Sequence, residues 1–169
     1  MSAIIEVYHA GVDIIPKPDI YHSRPQLDFG PGFYISDIYE QAVNWALRRA
    51  VVLNGQPIIN KYLLKRDELL ANLDDKAKIF PEYDEEWFDF VVGNRLGQEN
   101  WRLFHYIEGG VADDRVIVTI DQYMNGFYTK DYALESLKYL KPNNQICLLK
   151  QDLIDEYLEF NDSIIIDRL

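Results

Sequence analysis

At 169 residues the chain is long enough for one domain that buries roughly two thirds of the surface its unfolded form exposes. Hydrophobic residues at 48% and charged residues at 27% mark an ordinary globular composition, while a net charge of −11 disfavours sequence-independent binding to nucleic-acid phosphates, which needs a basic surface. The lone Cys147 excludes a disulfide framework and a thiolate metal cluster. No apolar run approaches the roughly 20 residues of a membrane span, and Met1–Glu6 lacks a basic signal-peptide start, so a cytoplasmic location is expected.

Ala3–Tyr8 is rich in Ile and Val and reads as a first strand closed by the pair Tyr8-His9. A polar ring at such a strand end either projects into a cleft or serves as a hydrogen-bonded structural histidine. Gly11–Gln26, with Pro16, Pro18 and Pro25, reads as a surface loop. It carries Ser23-Arg24 shortly before Asp28. An arginine on a loop suits phosphate, but local evidence favours an exposed Arg24 paired with Asp28.

In Leu27–Ser36, Gly30 and Gly32 bracket Pro31, so two flexible positions flank a rigid one and the backbone can approach a flat ligand closely. Phe29, Phe33 and Tyr34 place three aromatic rings here, and local evidence favours core packing over a stacking site. Asp37 with Glu40 three residues on resembles a capping box opening a helix over Asp37–Ala50, with Ile38, Ala42, Trp45, Ala46 and Arg49 on one face.

Pro57–Leu64 reads as a strand, Arg66–Asp75 as turns and Lys78–Phe80 as a very short strand. Glu82–Leu96 reads as a helix capped by Asp84, stopped by Gly97 and apolar along Trp87, Phe88, Val91, Val92 and Leu96. The acidic group Glu82–Asp89 suits the positive helix end and contains no histidine, so no metal site is expected there. Gln98–Gly110 reads as an irregular connection packed by Trp101, Phe104 and Tyr106. Asp113–Met124 has strand propensity in Val116–Thr119, but a cap at Asp113 and helical apolar spacing decide for a helix. Thr129 caps another helix with Ala133, Leu134, Leu137 and Leu140 inward. Pro142-Asn143-Asn144 breaks the chain before a strand over Gln145–Leu149, and Tyr157–Ile166 reads as a last strand or strand pair. Without repeats or a long linker, residues 1–169 form one domain.

His9, Tyr34 and Gln145 stand at three strand ends, and their order resembles the ADP-ribosyltransferase superfamily. The likeness is to its His-Tyr-Glu branch, which includes the poly(ADP-ribose) polymerases and diphtheria toxin. Tyr8-His9-Ala10 is similar to that branch's Tyr/Leu-His-Gly opening, and Phe29-Gly30-Pro31-Gly32-Phe33-Tyr34 to its Phe-Gly-x-Gly-Ile-Tyr segment. Asn144–Leu149 sits where that branch places a strand opened by its glutamate. The whole chain, from Tyr8 to about Phe160, also resembles an uncharacterised bacterial family assigned to the superfamily.

The resemblance implies an α+β domain of two packed, twisted β-sheets flanked by helices, with a cleft between them that holds NAD as co-substrate and needs no metal. It gives His9 the adenosine ribose, Tyr34 the nicotinamide ring, the backbone at Tyr8–Ala10 the carboxamide and Arg24 the pyrophosphate. Gly32 would line the loop against the ligand, and Ser36 would offer a small hydroxyl near the ring. Ala10 replaces the branch's glycine, which narrows that approach. Gln145 replaces its glutamate, keeping a hydrogen bond to the ribose but no charge, and losing one such preorganised group lowers rates about 10²–10³-fold. The implied outcomes are a substrate-assisted mono-ADP-ribosyltransferase of toxin-like use, another carboxylate such as Asp152, or a binding module without transfer. The acceptor would be a protein or small molecule. Nucleic acid is disfavoured by the charge unless Arg48-Arg49 serves it.

Overall fold

The computed structural model describes residues 2–24 and 26–168. Pro25, read above as a loop residue, lies outside them. The chain forms a mixed α+β domain with two sheets and, among the described residues, six α-helices. The first sheet has β1 (Ile5–Gly11), β3 (Ile58–Leu64) and β7 (Leu158–Ile165) in the antiparallel order β1-β3-β7. The second runs β2-β6-β5-β4, from β2 (Phe33–Ile35), β6 (Gln145–Leu148), β5 (Tyr106–Gly109) and β4 (Ala77–Phe80), with β4 and β5 parallel. A backbone bridge joins the sheets: Tyr8 N–H donates to Ser36 O at 2.8 Å and Ser36 N–H to Tyr8 O at 2.9 Å.

Side-chain alternation along the strands divides the interior. Phe33 and Ile35 of β2 point into a cluster with Val7, Tyr62, Leu64, Tyr106, Ile146 and Leu148, where the two sheets meet. Tyr34, between them, turns to the other face, with Cys147, Ile107 and Phe29. That face is covered by α3 (Glu85–Arg95), α4 (Asp114–Met124) and α5 (Lys130–Leu137). Ala42 and Ala46 of α1 (Tyr39–Leu53) pack on Ile59, where their small side chains bring the helix close to the first sheet.

Three caps form as their sequence suggests: Asp84 accepts from Trp87 N at 2.9 Å, Asp113 from Val116 N at 3.3 Å and Thr129 from Tyr132 N at 3.2 Å. Asp113–Met124 is therefore helical, and its strand propensity yields to a buried face of Val116, Thr119 and Ile120. Asp37 is not a cap. Helix α1 starts after Ile38, whose N–H donates to Ser36 Oγ at 3.1 Å, and Asp37 Oδ1 instead accepts from Asn144 Nδ2 at 2.9 Å. Arg49 lies outside the apolar face and is exposed.

Two elements appear where the sequence reads as turns or connection, and a third, α6, where it gives no element. Helix α2 (Arg66–Ala71) has one buried residue, Leu69, too little for a period to register. Strand β5 is buried at all four positions, so it shows no alternation, and Glu108 disguises it further. Helix α6 (Gln151–Tyr157) is two turns long and runs straight into β7. Strand β1 also continues through Gly11, so His9 is a mid-strand residue opposite Asn60.

Candidate functional site

His9 lies where the two sheets join. Its ring stacks on Phe33 with centroids 4.5 Å apart and planes at 21°, and its Nδ1 lies 2.7 Å from the backbone oxygen of Tyr34. A carbonyl only accepts, so Nδ1 carries the proton, and in the neutral ring Nε2 is left as an acceptor. Burial lowers the pKa of His9; the bond to Tyr34 opposes that shift and the charge of Arg49 adds to it. A neutral imidazole with a free acceptor nitrogen can take a hydrogen bond from a hydroxyl.

Tyr34 is held at its tip. Its hydroxyl donates to Gly30 O at 2.6 Å and accepts from Phe29 N at 3.1 Å, so the ring is clamped beneath the glycine loop. Burial of the hydroxyl, with Cys147 and Asp28 beside it, raises its pKa well above the ordinary phenol value. The residue as a whole stays partly accessible.

The loop is tight for packing reasons. A Cβ on Gly32 would sit 2.4 Å from Cys147 Sγ and 2.5 Å from Leu148 O; one on Gly30, at φ 91°, would sit 2.4 Å from Trp101 Cγ. The loop is anchored through Asp28, which is 6% exposed and accepts from Arg95 Nε at 2.6 Å and Ala112 N at 2.7 Å. Arg24 therefore does not pair with Asp28 as local evidence suggested, because Arg95 reaches it first from α3. Arg24 is exposed on the loop.

Gln145 opens β6 opposite Gly109 and is partly buried. Tyr34 pairs with Cys147 in the β2–β6 ladder, so Gln145, two residues earlier, projects from the same face as Tyr34. His9 packs on Phe33, whose side chain leaves β2 on the opposite face. The structure thus places Tyr34 and Gln145 on one side of the sheet and joins His9 to Tyr34 through backbone.

Other expected positions have structural partners. Tyr8 donates to Glu6 Oε1 at 2.8 Å and meets Tyr39 edge-on at 5.2 Å; burial, then Glu6, pushes its pKa up to about 12. Ala10 is partly buried opposite Ile59. Ser36 is fully buried and donates to Asn144 O at 2.7 Å. Asp152 stands past the far end of β6 from Gln145, in the first turn of α6, where its own carboxylate accepts from Leu153 N at 3.1 Å. Arg48 is paired with Asp114 at 2.7 Å.

Sequence reading missed Glu108, Asn144 and Gln41. Glu108, 8% exposed on β5, accepts from Arg66 at 2.6 and 3.1 Å, from the Tyr106 hydroxyl and from Asn144 Nδ2 at 3.2 Å. It lies opposite Ile146 and so faces away from Gln145. No sequence signal marked it, because its strand was not recognised. Among the described residues no three His, Cys, Asp or Glu side chains gather as for a metal ion, and no helix is long and apolar enough to cross a membrane.

Fold and site together define an α+β domain of two sheets in which a histidine at their junction holds the backbone of a clamped tyrosine, whose ring shares the outer face of its sheet with a glutamine that opens a strand. The chain belongs to a family described as protein of unknown function (DUF3990), whose model matches residues 5–160. No curated protein and no solved structure matches it.

Proposed function

We propose that this domain has an ADP-ribosyltransferase-like fold and transfers ADP-ribose from NAD to a protein or small-molecule acceptor. The observation that carries this reading is the fixation of Tyr34. Its hydroxyl is tied to Phe29 and Gly30 and its carbonyl to His9, while the residue as a whole stays partly accessible and Gln145 projects from the same face of the sheet. A ring immobilised before binding pays little entropy on stacking with nicotinamide, a contact worth about 1 kcal/mol beyond burial.

In this reading His9 Nε2 accepts from the adenosine ribose, Arg24 meets the pyrophosphate and Gln145 binds the nicotinamide ribose. The acceptor's nucleophile forms a bond to C1′ as the C1′–nitrogen bond breaks, and nicotinamide leaves with the electron pair. An amide takes no proton at neutral pH, so the acceptor's proton passes to solvent or to a basic group of its own.

One observation favours a second reading, an NAD-binding module without transfer. Glu108, the buried carboxylate on the strand beside Gln145, is engaged by Arg66 and faces the other way, so it does not replace the missing charge. Incubation with NAD and candidate acceptors separates the two. Transfer gives free nicotinamide and an acceptor heavier by one ADP-ribosyl unit in intact-mass analysis. Thermal stabilisation by NAD with neither product selects the binding module, and no stabilisation at any practical concentration defeats both.

A further inference from the structure

We propose that Gln41 is a positioning residue: it stands in for an absent strand neighbour of Asn144 and so fixes the direction in which Gln145 projects. The proposal rests on the reading of Gln145 given above for its functional meaning.

Strand β6 begins directly after Pro142-Asn143-Asn144, and its ladder with β2 reaches only to the pair Ile35 and Ile146. A strand end of this kind frays unless the preceding main-chain groups find partners. Gln41, in the first turn of α1, supplies them with one carboxamide. Its Nε2 donates to Asn144 O at 2.9 Å and its Oε1 accepts from Asn144 N at 3.1 Å. Both backbone groups of one residue are thus bonded, as a neighbouring strand would bond them.

Asn144 is secured by its side chain as well. Its Nδ2 donates to Asp37 Oδ1 at 2.9 Å and to Glu108 Oε1 at 3.2 Å, and its carbonyl accepts a second bond from Ser36 Oγ at 2.7 Å. The preceding Asn143 uses the same two-point device on Val111, accepting from its N–H at 2.8 Å and donating to its carbonyl at 3.2 Å. With the peptide at 144 held from α1, from the turn before it and from β5, the backbone leaves no freedom in where the Gln145 side chain starts. A primary amide is required at position 41. A carboxylate there keeps the bond from Asn144 N–H but faces the Asn144 carbonyl with a second acceptor.

The test uses the full chain with Gln41→Ala and the near-isosteric Gln41→Glu, the second guarding against a folding defect in the first. Backbone 15N relaxation should show the order parameter at Gln145 falling from a rigid value of about 0.85 to below about 0.6, with the β3 amides unchanged. An unchanged Gln145 overturns the proposal whatever NAD does. If wild type binds NAD, each variant should weaken binding roughly as much as Gln145→Ala does, and the double variant by less than about twofold more than Gln145→Ala alone. Additive losses overturn positioning, because they place Gln41 in an independent contact. Absence of NAD binding by wild type defeats the reading of the site, and the order parameter alone then decides whether Gln41 holds Gln145.

Discussion

His9 Nδ1 donates to the backbone oxygen of Tyr34 across 2.7 Å, so the imidazole of one sheet holds the main chain of the other. The bond fixes a neutral tautomer in a partly apolar setting, and that has a consequence for pH. Burial lowers the folded pKa of His9, so the unfolded chain binds a proton that the folded chain does not, and stability falls as pH drops through the unfolded value of about 6.5. The loss stops once pH passes below the folded pKa. Urea denaturation of wild type and His9→Asn at steps from pH 8 to about pH 5 should show a steeper acid-side decline for wild type, by up to about 1.4 kcal/mol per pH unit. Parallel curves would refute the assignment of a neutral buried imidazole.

The clamp on Tyr34 separates the roles of its ring and its hydroxyl. Tyr34→Phe leaves the Phe29 N–H and the Gly30 carbonyl without their partner, which costs about 1–3 kcal/mol of stability, but keeps the ring. Tyr34→Ala loses the packing too and costs about 3–5 kcal/mol. If the ring stacks on nicotinamide, the Phe variant should hold NAD within about twofold of wild type and the Ala variant about fivefold more weakly. Equal affinity in all three would remove Tyr34 from the binding surface.

Much of the fold was legible because helices announce themselves at their ends. Asp84, Asp113 and Thr129 each accept from the backbone where their spacing suggested. What stayed hidden lacked a period or a local partner. Strand β5 has no exposed side to produce alternation, and Glu108 is matched by Arg66, 42 residues earlier in the chain, so nothing nearby hinted at its burial. Asp37 was misjudged because a capping pattern competes with a tertiary bond to Asn144 that only the closed sheet creates. At the candidate site the sequence order pointed to His9, Tyr34 and Gln145. It did not show that His9 would meet Tyr34 at its carbonyl, nor that Asn144, read as a breaker, anchors the strand.

The glycine loop should resist substitution at both ends for different reasons. Gly30→Ala meets the Trp101 ring and a left-handed φ of 91°, whereas Gly32→Ala meets Cys147 Sγ and the carbonyl of Leu148. Overpacking costs about 1–3 kcal/mol, which lowers the melting temperature of a chain this long by roughly 2–12 °C. Pairing Gly30→Ala with Trp101→Ala should restore little, because the backbone conformation remains strained. Full recovery in that pair, followed by calorimetry, would show that Trp101 alone demands the glycine.

Glu108 and Arg66 form a largely shielded ion pair beside the start of β6, with side chains 10% and 26% exposed. Removing one partner of a buried pair costs about 3–5 kcal/mol, and the residual exposure of Arg66 brings the expected loss for Glu108→Gln towards about 2–3 kcal/mol. Arg66→Met should be worse, because it leaves a carboxylate with only Tyr106 and Asn144 as donors. Replacing both removes the uncompensated charge, so the double variant should recover at least about 1 kcal/mol relative to the sum of the single losses. Urea midpoints for the four proteins measure this coupling directly. Strict additivity would mean that the pair contributes through packing alone, and that the fixation of Asn144 does not depend on a charge at position 108.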